Sequence, residues 1–396
     1  MDQAANLGGR IRDVRKRRGL TQGELARTAG VSKSLVCKLE QGEINDIRLE
    51  TAHKMAAALG VPTSALVPRG DAPVPDPKSL VAWQQVRSAL DGAPAADLPG
   101  EPTLEGVRSM FRGVLPLLLA SRLAELGAVL PTLLRDADAL VAGSVNGACT
   151  SARALRAQIR QVAGALMLHT WQFETAGKAF DLAMSDADDP LIAMSVVEER
   201  CWGLIRQGKL AETRELAFGW ADEHEPKISA DRNELAAWGR LLIRGSTAAV
   251  RDNERGQARD ALRLAQMAAA GSDRDFTLPY APWHVFGPVT VLVTAAENAT
   301  IQDNPQTTLN IARKLTRARL PVRKYAPSHR LDVAQAHVTL RQYPEAVSVL
   351  QQLRQERPEW LPRQRHASDI LAKIIQRRRT LTPDMRDLAS LINLPY

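Results

Sequence analysis

The chain has 396 residues, a net charge of +8 and only 4% aromatic against 45% hydrophobic residues. That length allows two or three domains with sizeable cores, and an apolar mass made mostly of Ala, Leu and Val favours packed helices over a β-sandwich, so an all-α protein is expected. The three cysteines, Cys37, Cys149 and Cys201, are odd in number and widely spaced, which supports neither a disulfide framework nor a zinc site. Residues 1–20 are basic without the apolar core of a signal segment, so a reducing, cytoplasmic setting is expected.

Residues 1–70 hold 12 Lys/Arg against 7 Asp/Glu, an excess of +5 that leaves only +3 for the rest of the chain. Such a concentration is the electrostatic footprint of a nucleic-acid-binding module. Five helices are expected here, at about 7–18, 21–29, 32–41, 48–58 and 63–67. Thr21 can cap the second, whose inward face is Leu25, Ala26 and Ala29, and Gly30 supplies a left-handed turn. Ser32 then caps a helix with Val36 and Leu39 inward and Lys33, Ser34 and Lys38 outward. Thr21-Gln22, Gly30-Val31-Ser32 and Glu40-Gln41-Gly42 together resemble the helix-turn-helix motif of the lambda-repressor-like (XRE) family of bacterial regulators.

That resemblance implies double-stranded operator DNA as partner, with the helix begun by Ser32 in the major groove. By position, Lys33, Ser34 and Lys38 become base readers, although Lys38 could equally hold a phosphate, Ser32 joins them at the DNA face, and Gln22 matches a glutamine that contacts phosphate and braces the reading helix. Arg48 matches an arginine that reaches toward the minor groove in some relatives. Arg15 and Glu40 match a structural salt bridge locking the first helix to the end of the reading helix. Cys37, on the reading helix, has no neighbouring cysteine as resolving thiol and is expected to be passive.

Pro68 to Ser79 holds four prolines and reads as an extended linker, followed by an isolated amphipathic helix over 80–90 with Trp83 and Val86 on one face, so that 68–102 forms a linker region. From 103 to 396 the pattern is helix after helix. Gly164, Phe173, Ala176, Phe180, Ala183 and Pro190 follow the offsets of a tetratricopeptide-type helix pair, and Ala334, Tyr343, Ala346, Leu350, Leu353 and Pro358 repeat them. Anchor positions 176, 213, 258, 308 and 346 lie 37, 45, 50 and 38 residues apart, so the array resembles a tetratricopeptide-like α-solenoid with an irregular period. Gly271 to Pro288 is its longest interruption, where Tyr280, Trp283 and Phe286 form a lid or fill a gap.

Gly203 to Leu210 nearly spells a phosphate-binding loop, but Leu210 stands where Ser or Thr must hold magnesium, and a helix precedes it. The seven histidines show no metal-ligand spacing, so no metal, cofactor or enzymatic activity is expected. Trp202, Trp238, Arg240, Asn298, Asn310 and Arg313 lie on helices that could line the concave face of the array and contact a peptide or small-molecule effector. The chain thus reads as a DNA-binding transcriptional regulator, a homodimer whose repeat domain dimerises or senses. The alternative is a protein-interaction scaffold or antitoxin-like autoregulator tethered to DNA.

Overall fold

The structure, a computed structural model, describes residues 7–44, 47, 49–66, 83–92, 100–144, 147–317, 326–377, 380–392 and 394. The Pro68–Ser79 linker and Arg48 lie outside these residues. Among the described residues the fold is all-α apart from one small hairpin.

The N-terminal domain comprises α1 (Leu7–Arg17), α2 (Gln22–Ala29), α3 (Lys33–Gln41), α4 (Leu49–Leu59) and α5 (Thr63–Leu66). Its boundaries are set locally. Thr21 and Glu24 form a capping box at the start of α2, Gly30 ends it at φ +65°, and the Ser32 hydroxyl accepts from the Leu35 N–H to start α3. Each cap is worth about 1 kcal/mol, and together they fix the angle at which α3 leaves α2. Leu25, Ala26, Val36, Leu39, Met55, Ala56 and Leu59 close a separate small core. A Cβ at Gly8 would fall 1.7 Å from the Leu39 carbonyl oxygen, so only glycine lets α1 approach α3 this closely.

The remainder is a stack of helical hairpins. After α6 (Gln84–Leu90) come α7 (Leu104–Leu119) with α8 (Leu123–Gly143), α9 (Gly147–His169) with α10 (Phe173–Met184), and α11 (Pro190–Arg206) with α12 (Leu210–Glu223). Then follow α13 (Arg232–Arg251) with α14 (Arg255–Ala269), α15 (Pro288–Ile301) with α16 (Pro305–Arg317), and α17 (Ala326–Thr339) with α18 (Tyr343–Glu356). α19 (Arg365–Gln376) and α20 (Pro383–Leu391) end the array.

One backbone device makes the six turns from Ser121 to Arg341. Ser121, Trp171, Gly208, Asn253, Asp303 and Arg341 all adopt positive φ, each two residues before the second helix of its pair. At each turn the positive-φ residue donates its N–H three residues back, and the next residue donates five back, as in Trp171 N to Leu168 O and Gln172 N to Met167 O. This is a Schellman turn. The repeat is therefore written in backbone hydrogen bonds while residue identity varies. Small residues bring paired helices together: a Cβ at Gly164 would meet Phe180 at 2.4 Å, and one at Gly245 would meet Phe218 at 2.2 Å.

Two expectations need correction. The helix near 80–90 is not isolated: Trp83 and Val86 belong to the main core, and Trp83 packs so tightly on α8 that a Cβ at Gly127 would sit 2.0 Å from its ring. The array is also not helical throughout. Residues 276–286 form an antiparallel hairpin, β1 (Phe276–Leu278) with β2 (Ala281–Phe286), pairing Phe276 with Phe286 and Leu278 with Ala281. Tyr280, Trp283 and Phe286 are buried there, Trp283 edge-on to Phe111 of α7 and Phe286 against Gly239 of α13, so they fill a gap between helices. The Asp275 carboxylate then caps α15, accepting from the Val289 and Thr290 N–H groups at 2.8 and 3.0 Å.

Candidate DNA-reading face and interdomain cavity

On α3, Lys33, Ser34 and Lys38 are exposed on the side opposite Val36 and Leu39. Ser32 is occupied as the helix cap. Gln22 is held at both ends of its amide: its Nε2 donates to Glu40 Oε2 at 2.9 Å, and its Oε1 accepts from the Cys37 thiol at 3.0 Å. Cys37 is therefore engaged in bracing Gln22. Arg15 grips Glu40 side-on, Nε to Oε1 at 2.6 Å and Nη2 to Oε2 at 2.7 Å, while its Nη1 donates to the Leu20 carbonyl. Burial alone would raise the Glu40 carboxyl, but the Arg15 guanidinium and the Gln22 amide outweigh it and hold it below the usual carboxylate range. The frame behind α3 is thus a closed hydrogen-bonded and ionic network, and the three outward side chains stand on it.

The domain is docked on the array through α4 and α5. Thr63 donates its N–H to the Asp252 carbonyl at 3.1 Å and its hydroxyl to the Arg251 carbonyl at 2.8 Å. His53 Nδ1 lies 2.8 Å from the same Arg251 carbonyl, and Lys373 of α19 pairs with Glu50 of α4 at 2.8 Å. Asp252, fully buried, also receives Arg214 at 2.7 Å.

Between α2 and α4 on one side and the first helices of successive hairpins on the other lies a cavity of about 850 Å³. Its wall comes from α11 (Glu198, Trp202, Arg206), α13 (Arg240, Arg244, Arg251), α15 (Thr290, Thr294, Glu297), α17 (His329, Asp332) and α19 (His366, Asp369). From the N-terminal domain, Arg27, Gly30, His53, Lys54 and Ala57 complete it. Most of the wall is internally paired: Glu198 accepts from Arg240 at 2.7 Å and Arg244 at 2.5 Å, and Glu297 from Arg251 at 2.6 Å. Burial pushes His329 and His366 down to about 4, and burial with the neighbouring Glu297 pushes the Asp332 carboxyl well up.

Of the six side chains expected on the concave face, only Trp202 and Arg240 line the cavity. Trp238 points the other way and donates to the Ala221 carbonyl; Asn298 is buried on Ser246 beneath α13. Asn310 and Arg313 are exposed on α16, hydrogen-bonded to each other. The corrections share one cause: the first helix of each hairpin faces the cavity, and on it only one phase does. Sequence reasoning missed Arg206, Arg244, His329 and His366. The usable signal was the four-residue spacing of polar or aromatic residues, Glu198-Trp202-Arg206 and Arg240-Arg244, on otherwise buried helices.

A second cluster was not legible from spacing. Glu198, Glu199 and His284 bring potential metal-ligating atoms within 4.8 Å of one another, all buried. The two histidine nitrogens lie 3.2 Å from Glu198 Oε2 and 2.6 Å from Glu199 Oε1, while the Trp283 N–H adds 3.1 Å to Glu199 and the two arginines close Glu198. With two guanidinium groups on one carboxylate, the cluster reads as an ion-pair network joining the hairpin to α11 and α13.

A compact five-helix module with a capped, outward-facing third helix, docked on a solenoid of helical hairpins, defines the class: a helix-turn-helix protein with a helical-repeat body. Residues 6–68 match the family model described as a helix-turn-helix domain, so this segment is a helix-turn-helix domain. The chain is 29% identical over 118 residues to an immunity repressor protein of Bacillus phage phi105, covering 27% of this chain and 81% of that protein. Among solved structures it resembles Bacillus thuringiensis PlcR in complex with the peptide PapR7 and DNA, at 15% identity and a TM-score of 0.28 over 66% of this chain and 94% of that one. No helix among the described residues is long and apolar enough to cross a membrane.

Proposed function

We propose that this protein is a sequence-specific DNA-binding transcriptional regulator that reads operator DNA through Lys33, Ser34 and Lys38 and senses an effector in the interdomain cavity. The observation that carries the reading is the placement of those three side chains: exposed, on a helix capped at both ends, and none of them among the residues that line the interdomain cavity. Ammonium groups donate to guanine O6 or N7, and Ser34 can donate or accept. The similarity to a phage immunity repressor supports a repressor. We further propose a homodimer, because two-fold operators favour two-fold proteins.

Selection of bound duplexes from a random pool by the full-length protein, followed by fluorescence anisotropy on the enriched sequence, tests the first claim. A shared motif with a pseudo-palindromic pair of half-sites is expected. Uniform affinity across unrelated duplexes at matched salt would overturn it. Light scattering on the same sample reads the mass of the assembly.

A further inference from the structure

Arg206 ends α11 at the cavity wall. Its Nε and Nη2 are buried and have no hydrogen-bond partner among the described residues. Its guanidinium lies over two indoles, 4.4 Å from the Trp171 ring centre and 5.2 Å from that of Trp202, which accounts for its planar face and leaves its donor edge unused. Burial lowers its pKa to about 10 with no carboxylate to oppose the shift. A buried cation without a counter-charge is costly to hold, and acids of the wall are engaged elsewhere: Glu198 and Glu297 by arginines, Glu50 by Lys373 and Asp303 by Lys54, while Asp332 is held toward its neutral form.

The unpaired edge has a defined chemistry, displayed twice elsewhere in the molecule. Arg15 uses the same Nε and Nη2 to grip both oxygens of Glu40, and Arg156 uses them on both oxygens of Asp186, each bond at 2.8 Å. Two parallel donors match the two oxygens of a planar carboxylate. The volume of about 850 Å³ is that of a small-molecule site, and Ile205 and Ile243 give the wall near α11 and α13 an apolar surface beside the two indoles.

Resting on the sensing reading above, we propose that Arg206 anchors the carboxylate of an organic ligand whose aromatic or aliphatic body fills the cavity between the repeats and the helix-turn-helix domain. Because Arg27, His53 and Ala57 share that cavity, the ligand would touch both domains.

The test uses the full-length protein and thermal melting with four kinds of probe: 4-phenylbutyrate and octanoate, their amides, the tripeptide Ala-Leu-Phe with free or amidated C-terminus, and inorganic phosphate. A carboxylate probe should raise the Tm while its amide does not, and whether acid or tripeptide acts identifies the source of the carboxylate. Arg206→Met should cut the apparent affinity at least tenfold, and Arg206→Lys, which keeps the charge but loses the fork, should weaken it too. Without ligand, Arg206→Met should melt at or above the parent, since it removes an uncompensated buried cation. The proposal is overturned if no carboxylate probe shifts the Tm, if amides or phosphate act equally, if Arg206→Met keeps the shift, or if it melts well below the parent. None of these readouts involves DNA, so loss of the operator-binding reading would leave this result standing.

Discussion

Ser64 gives both its backbone N–H and its hydroxyl to the Asp252 carboxylate, at 2.7 and 2.9 Å, tying the last helix of the helix-turn-helix domain to a turn of the array. Asp252 precedes Asn253, a positive-φ residue of the repeated turn, so the device that shapes the repeat also presents the docking carboxylate. Asn253 itself donates to the Val61 carbonyl at 3.4 Å.

Asp252→Ala removes the acceptor for Ser64 and for Arg214 together. Leaving a half-buried arginine and two donors without their acceptor should cost about 1–3 kcal/mol. Hydrogen exchange at the Ser64 amide should accelerate toward the rate of an open helix end, while amides in the core of α9 keep their protection. Unchanged exchange at Ser64 would show that the seam does not depend on this carboxylate.

The seam and cavity should also weaken in acid. Burial lowers His53, helped by the charges of Arg255 and Arg251 against the Arg251 carbonyl, and lowers His329 and His366 to about 4. A histidine with a depressed folded pKa binds its proton first in the unfolded chain. Its contribution is therefore complete above about pH 6.5 and is lost as pH falls toward the folded value. Stability should drop by roughly 1–3 kcal/mol between pH 6.5 and 4, allowing for water in the cavity. His329→Gln with His366→Gln should flatten that slope in denaturant titrations; an unaltered slope would assign it to other groups.

On the reading face, Lys33→Ala and Ser34→Ala should each reduce discrimination between the operator and single-base variants by about 1–3 kcal/mol per good base contact. Gln22→Ala should act differently, since Gln22 is bonded to Glu40 and Cys37 and its loss loosens the frame. All duplexes should weaken together. Competition binding distinguishes the two patterns, and mutants that discriminate as well as the parent would move the reading face elsewhere.

How much of this was legible follows from how local each signal is. Thr21, Glu24, Gly30 and Ser32 act within a few residues, so the helix-turn-helix could be read directly. The repeat period could not, because its turn tolerates Ser121, Trp171 and Arg341 at positive φ, and among the six only Gly208 and, more weakly, Asn253 and Asp303 carry a sequence cue. Trp83 gave no hint of its contact with Gly127, which lies across a segment rich in proline, alanine and glycine. Trp238 and Arg240 stand two positions apart on one helix and face opposite ways, a phase that composition does not set. The spacing Glu198-Trp202-Arg206 could have placed Arg206 on the cavity face, but its lack of a partner is a property of three dimensions only.

The tolerated residues at those turns make a stability prediction. Arg341 is exposed at φ +61°, a conformation that costs an L-residue with a Cβ about 1–2 kcal/mol. Arg341→Gly should raise stability by roughly half of that, once the greater freedom of glycine in the unfolded chain is counted. Arg341→Val should lower it, since a β-branched residue is the least suited to this region. Urea melts of the two variants should move in opposite directions, and a common shift would mean that the side chain's contacts outweigh its backbone.

The Arg15–Glu40 pair offers the sharpest internal test, because both partners are buried and joined by two hydrogen bonds. Removing either one strands a charge, at about 3–5 kcal/mol, whereas Arg15→Met with Glu40→Met strands none and should cost less than either single change. No tryptophan precedes Trp83, so the readout must be hydrogen exchange at the buried amides of Leu25 and Val36 rather than fluorescence. Acid adds a second axis. The folded Glu40 carboxyl sits below its ordinary value, so its contribution is present above about pH 4.3 and is lost as pH falls through the folded value. Glu40→Gln should remove that acid slope while keeping the shape of the side chain. A cycle with no coupling, or a slope that survives Glu40→Gln, would mean that α1 and α3 are held by their apolar contacts alone and that the frame behind the reading helix is not ionic.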